Sequence, residues 1–311
     1  MQYLDFERTI KEVDEKLARL GNSERALLDK NQVEIRRLTA KRTRVIKQAY
    51  EKLSPWQKTQ VARHEARPHA LDYFSTVFTD FEPLCGDRQS LEDQAIVGGL
   101  AKFNDQTVMV MGHEKGHDID TRLKHSFGMA RPEGYRKAIR LMQLAEQYHF
   151  PVITLVDTAG AFPGVEAEAH GQGQAIASCI ETSLNLKVPV ISCIIGEGGS
   201  GGALALACGN AVLMLENAIY SVISPEGCAS ILWKDFKYAQ KATEILHLTA
   251  ADMLKFKVID EIIPEPVGGA HRFPKETMQA VANKLLEQLE HFKTMSEADL
   301  VAQRHQRFLS I

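Results

Sequence analysis

Between residues 6 and 60, apolar positions recur at helical spacing on a charged background: Ile10, Val13, Leu17 and Leu20, then Val33, Ile35, Leu38, Val45 and Ile46. The pattern predicts a helical hairpin broken at Gly21-Asn22-Ser23, with Ser23 placed to cap the second helix. After Arg67-Pro68-His69 the rhythm changes. Residues 95–101 and 107–111 read as strands joined in hairpin fashion through 102–106. Pro132-Glu133-Gly134 opens a helix with Tyr135, Ile139, Met142 and Leu144 near one stripe. Residues 151–156 and 188–195 are continuous apolar runs, the mark of strands covered on both faces. Between them lie a loop, 157–164, and a helix to about residue 186. Short strands follow at 211–215, 219–223 and 258–263, with helices from Pro225 and over 274–291. Strand and helix alternate from 151 to 223, which predicts an α/β fold with crossover connections. The change of rhythm divides the chain into a helical extension, 1–66, suited to docking a partner, and an α/β domain, 67–311.

Composition adds limits rather than a function. Of the 311 residues, 44% are hydrophobic and 25% charged, with a formal net charge of -3, so nothing draws the whole chain to nucleic acid or an anionic membrane. Residues 36–47 are basic but lack interleaved aromatics, which favours a solvated or partner-facing helix over a nucleic-acid site. No apolar run has the length of a membrane span and the first residues are charged, so a cytosolic location is expected. Cys85, Cys179, Cys193, Cys208 and Cys228 are widely spaced without a Cys-x-x-Cys pair, which predicts reduced packing thiols and no metal site.

Candidate chemistry concentrates in Gly196-Glu197-Gly198-Gly199-Ser200-Gly201-Gly202-Ala203, where a buried strand is expected to end in a glycine turn and open a helix. Glycines leave backbone N–H groups unshielded, and a helix start adds unpaired donors, a combination suited to a phosphate or an oxyanion. Three motifs overlap here. Gly196-x-Gly198-x-x-Gly201 matches the dinucleotide fingerprint, with Glu216 as ribose-binding acid, and would make the protein an NAD(P)-dependent oxidoreductase. Gly198-x-Ser200-x-Gly202 matches the hydrolase elbow, with Asp252 or Asp260 and His271 to complete a triad. A Walker A reading fails, because Gly202-Ala203 stands where Lys and Ser/Thr are required. A second loop, Asp157-Thr158-Ala159-Gly160-Ala161-Phe162-Pro163-Gly164, also ends a buried strand, and two such loops can flank one anion without any side-chain nucleophile. A non-catalytic scaffold with the helical extension as docking arm is the remaining alternative.

At these residues the chain resembles the alpha subunits of bacterial acetyl-coenzyme A carboxylase carboxyltransferase. The resemblance runs almost end to end: Leu4-Asp5-Phe6-Glu7, Gly86-Asp87-Arg88, Gly112-His113-Glu114-Lys115-Gly116, Phe127-Gly128-Met129, Pro132-Glu133-Gly134-Tyr135-Arg136-Lys137-Ala138, both glycine loops, Ser224-Pro225-Glu226-Gly227-Cys228 and Gly268-Gly269-Ala270-His271-Arg272. Ala159 departs from the proline common among relatives, and Phe162 from tyrosine. The resemblance implies a crotonase-like fold of ββα units. It implies carboxyl transfer from carboxybiotin, borne on a separate biotin carboxyl carrier protein, to the coenzyme A thioester acetyl-CoA, giving malonyl-CoA for fatty acid synthesis. It also implies a cytoplasmic complex of two alpha and two beta subunits, zinc in the beta subunit only, and a separate biotin carboxylase that consumes ATP. On this basis the N–H groups of Gly201, Gly202 and Ala203, with Gly160 and Gly164, are expected to form an oxyanion hole, and Phe162, Gly198, Gly199 and Ser200 to meet carboxybiotin. A second hole, for the acetyl enolate, would lie largely on the partner. Lys115, His113, Arg136 and Lys137 are candidate contacts to CoA phosphates, a surface charge with no ligand being the alternative for each. Glu197 either orients the loop or faces solvent.

Overall fold

A computed structural model describes residues 2–21 and 29–311, so the predicted Ser23 cap lies outside the described residues. The strands are β1 Thr79–Pro83, β2 Ile96–Phe103, β3 Gln106–His113, β4 Val152–Thr158, β5 Val190–Gly199, β6 Ala211–Leu215, β7 Ile219–Ser221 and β8 Glu261–Ile263. They form one sheet in the order β1-β2-β3-β4-β5-β6-β8, with β7 beside β5. The β1–β2 and β2–β3 pairs are antiparallel, and all later pairs are parallel. Helices such as Pro132–Gln147 and Gln172–Asn185 supply the crossovers.

Two departures from the sequence reading are local. The hairpin pairs Phe103 with Gln106, so its turn is only Asn104-Asp105, with φ of 48° and 62°; these residue types tolerate the left-handed region a tight hairpin needs. The helix expected up to 186 is two helices, Val165–Ala169 and Gln172–Asn185, parted by left-handed Gly171.

The strand that matters for function is β5. Its first half pairs with β6 through Ile191↔Ala211 to Ile194↔Met214. Its second half pairs with β7 through Glu197↔Ile219 to Gly199↔Ser221. The strand therefore continues through the glycines where a turn was expected. Gly196 and Gly198 are needed for packing: a Cβ at Gly196 would lie 2.3 Å from Asp157 Oδ1, and one at Gly198 2.7 Å from the Tyr220 ring.

The helical hairpin, Arg8–Gly21 with Asp29–Tyr50, is tied to the α/β body. Glu7 is fully buried; its Oε1 accepts from Arg272 Nη2 at 2.6 Å and from Tyr50 Oη at 2.7 Å. Burial opposes this charge, yet His271, Arg272 and the Leu4 N–H hold the carboxyl well below the usual range. Arg67, also buried, forks onto Glu265 at 3.1 and 2.6 Å and donates through Nε to the Ile195 carbonyl at 2.6 Å. The sequence boundary at 66/67 is thus crossed by the buried Glu7–Arg272 bond, while Arg67 is fixed within the α/β side of it.

Candidate active site

The two glycine segments lie against each other. Strands β4 and β5 run parallel, and Thr158 registers with Gly198 at their C-terminal ends. A Cβ on Gly199 would fall 2.2 Å from the Ala159 carbonyl oxygen, and one on Gly202 2.6 Å from the Ala161 nitrogen. Only glycine allows the backbones to come so close. The turn itself is made by Ser200, exposed and at φ 53°, which starts a helix of five residues, Ser200–Leu204. Its first turn leaves the Gly201 and Gly202 N–H groups without i−4 partners inside the helix. Gly202 and Ala203 are buried and Gly201 is partly exposed. Beside them is a cavity of about 420 Å³ lined by apolar Leu204, Tyr220, Val222, Met253 and Phe256.

The donor set differs from the one expected from sequence. The Gly160 N–H is taken by Thr158 Oγ1 at 3.1 Å, and the Gly164 N–H by the Phe162 carbonyl at 3.2 Å. Ala161, pressed against Gly202, has no hydrogen bond to its N–H among the described residues and is the better-placed donor from this loop. Sequence reasoning missed it because alanine carries no glycine signal. Phe162 donates its N–H to Ala130 and lies under the Arg131 guanidinium at 4.4 Å.

A buried charge network underlies both segments. Lys115 Nζ sits 2.7 Å from Asp157 Oδ1 and 2.8 Å from Glu197 Oε2. Glu197 Oε1 accepts from Arg63 at 2.6 Å, and Arg63 reaches Glu226 at 2.7 Å. Asp157 also accepts the Glu197 N–H at 2.8 Å and faces His69 Nδ1 at 3.1 Å. Burial resists all these charges, but mutual attraction prevails: Asp157 and Glu197 are held below the usual carboxylate range, and Lys115 and Arg63 above their ordinary values. Glu197 is buried and orients the glycine strand, so the solvent-facing reading falls away. These residues are dispersed in sequence, and only the fold brings them together.

The candidate phosphate contacts are already engaged. Lys137 is 2% exposed and bonds Glu92 and the Asp93 carbonyl. Arg136 bonds Asp87 at 2.8 Å and Glu133 at 2.9 Å. Lys115 serves the network above, and His113 is fully buried. Lys115, Arg136 and Lys137 thus have internal carboxylate partners, and His113 is sealed from solvent. The structure also removes two alternatives. Gly196 and Gly198 of the fingerprint lie within β5, their Cβ positions filled by Asp157 and Tyr220, and Glu216 accepts the Glu265 N–H at 3.1 Å instead of facing a nucleotide. For the elbow, His271 stacks on His64 at 4.1 Å beside Glu7, Asp252 caps a helix with Thr249, and Asp260 pairs with Arg307. No triad forms. Of the cysteines, four are buried and all five are free, and no metal-binding cluster occurs among the described residues. No helix among them is long and apolar enough to cross a membrane.

Residues 3–311 match the family model described as acetyl co-enzyme A carboxylase carboxyltransferase-like. The chain is 55% identical to the acetyl-coenzyme A carboxylase carboxyl transferase subunit alpha of Paramagnetospirillum magneticum, covering 100% of this chain and 98% of that one. It is 52% identical to the Zymomonas mobilis subunit, over 100% and 99% of the two chains. Among solved structures, the transcarboxylase 12S hexamer core superposes with a TM-score of 0.59 at 17% identity, over 73% of this chain and 42% of that chain. A Pseudomonas malonate decarboxylase hetero-tetramer in complex with coenzyme A gives 0.56 at 15%, over 70% and 88%. These structural likenesses show a mixed α/β, crotonase-like fold. The full-length sequence match shows that the chain belongs to the family of acetyl-coenzyme A carboxylase carboxyltransferase alpha subunits.

Proposed function

We propose that the N–H groups of Gly201, Gly202 and Ala203, with that of Ala161, form the hole that receives charge when carboxybiotin gives up its carboxyl group. The family's reaction is the carboxyl transfer of acetyl-CoA carboxylase, in the service of fatty acid synthesis. The N–CO₂ bond of carboxybiotin breaks as a C–C bond forms at the acetyl methyl carbon. The methyl proton goes to the ureido nitrogen, and negative charge appears meanwhile on the ureido oxygen. Backbone donors fixed in advance stabilise that charge without reorganising, and losing one costs about 3 kcal/mol in comparable sites. A helix of five residues has little dipole, so the N–H groups themselves carry the effect.

The observation that carries this reading is the contact between Gly202 and residues 160–161, which brings the two strand ends within backbone reach of each other. The apolar cavity at the same turn suits the thioether body of biotin, with its ureido end at the N–H groups. In this reading Gly198, Gly199, Ser200 and Phe162 frame the approach. Exposed Ile231, Leu232 and Phe236, beyond β7, suit burial by a beta subunit in a cytoplasmic complex of two alpha and two beta chains. That complex would meet the biotin carrier, charged by the separate biotin carboxylase. The test is Gly202→Val in the complex reconstituted with a beta subunit, assayed by malonyl-CoA decarboxylation in the presence of biocytin. Assembly with turnover lost is the expected result; turnover equal to wild type refutes the hole.

A further inference from the structure

Two polar side chains buried behind the glycine turn have no hydrogen-bond partner among the described residues. Tyr135, in the helix Pro132–Gln147, and His113, at the end of β3, are both fully buried. The Tyr135 hydroxyl and both His113 ring nitrogens make no hydrogen bond within ordinary geometry. Leaving such groups unmade costs about 1–3 kcal/mol each, so their persistence calls for a reason. Both converge on one residue. Tyr135 Oη lies 3.0 Å from where a Cβ of Gly202 would stand, and the Gly202 carbonyl is the backbone group that faces His113.

That carbonyl is itself short of a donor. The Ala205 N–H bonds the Gly201 carbonyl at 3.0 Å, but the Leu206 N–H bonds Ala203 at 3.1 Å, so the ladder passes over Gly202. The Gly202 carbonyl and the Ala203 N–H belong to one planar trans peptide and point in opposite directions. Whatever holds the carbonyl from behind therefore aims the N–H in front. We propose that His113 and Tyr135 are positioning residues that orient the Gly202–Ala203 peptide, with a His113 ring N–H drawn to the Gly202 carbonyl and the Tyr135 hydroxyl filling the space a side chain would occupy. The inference rests on the backbone-hole reading above and gives it a mechanical support. Burial, aided by the Lys115 charge and opposed by Asp157 and the Gly202 carbonyl, pushes His113 down to about 4, so at neutral pH it is a neutral ring with a single N–H to give.

The experiment uses the complex with the beta subunit and compares Tyr135→Phe, His113→Leu and His113→Gln in malonyl-CoA decarboxylation with biocytin. A donor lost outright from such a hole lowers kcat by ~10²–10³-fold, so a donor only loosened should lower it by ~10-fold. The expected result is that fall for Tyr135→Phe and His113→Leu, with KM for malonyl-CoA and biocytin unchanged. The amide of His113→Gln should recover most of it. Tyr135→Phe keeps the ring and its packing, so its melting temperature should stay near wild type. Wild-type kcat in Tyr135→Phe and His113→Leu overturns the inference, as does a rise in either KM that accounts for the loss. If the wild-type complex turns over and the Gly202→Val complex does too, the hole reading itself has failed; if only the positioning variants are normal, this inference alone has.

Discussion

Lys115→Met removes the one cation shared by Asp157 and Glu197. Methionine nearly matches the lysine stem in volume, so the loss is electrostatic. Breaking a buried ion pair from one side costs about 3–5 kcal/mol. The lysine side chain keeps 15% exposure, and Arg63 and His69 remain beside the two carboxylates, so the lower end, about 3 kcal/mol, applies. The pH dependence follows from the direction of the shifts. Asp157 and Glu197 are depressed in the folded wild type, so their contribution is present above the unfolded carboxylate range and lost as pH falls through their folded values. Lys115 is raised, so its contribution is complete below about pH 10. The wild-type network is therefore constant from about pH 5 to 10. In the variant one carboxyl, relieved of its cation, rises and takes up a proton as the solution is acidified. The stability difference should be greatest at pH 8 and shrink toward pH 5. Urea unfolding of both proteins at the two pH values measures it. A difference under about 1 kcal/mol at pH 8, or one that does not shrink in acid, would refute the account of a buried, mutually ionised cluster.

Other outcomes follow from the geometry. Gly199→Ala, with its Cβ 2.2 Å from the Ala159 carbonyl, should lower the melting temperature sharply, whereas Gly201→Ala, whose nearest neighbour is 3.5 Å away, should leave it within a few degrees. Arg136→Ala and Lys137→Met should leave KM for malonyl-CoA unchanged in the reconstituted complex while lowering thermal stability, because both cations serve internal carboxylates; a several-fold rise in KM would restore them as phosphate contacts. A thiol reagent should modify Cys85 quickly and the rest only on unfolding, since Cys179, Cys193, Cys208 and Cys228 are buried and burial pushes Cys193 and Cys208 up to about 12. Adding NAD should give no thermal shift, because Gly196 and Gly198 pack in a strand against Asp157 and Tyr220, and Glu216 is engaged by the Glu265 N–H.

The parts of the fold legible in sequence are those governed by local pattern. The apolar runs around Ile153 and Ile191 are central strands, and the Pro132 and Pro274 helices start where proline places them. The course of β5 was not legible, because glycine ordinarily signals a turn. Here Asp157, Tyr220 and Ala159 occupy the space of its missing side chains, and those neighbours come from distant segments. The same reason hid Lys115 and Arg63, ordinary charged residues until the fold buries them. The short edge strand β1, exposed at Asp80 and Glu82, has too little apolar alternation to announce itself. The two glycine motifs meet at the C-terminal ends of β4 and β5; their hydrogen-bond economy, which idles Ala161 and occupies Gly160, is a property of three dimensions.

The clasp of Glu7 by Arg272 spans 265 positions. A nascent chain carries that carboxylate without its arginine through most of its synthesis, and this anchor of the helical hairpin forms only once residue 272 has left the ribosome. Maturation of this subunit is thus gated from its far end: a product arrested before Arg272 would hold its leading helices loose, open to proteases and chaperones, however complete its central sheet.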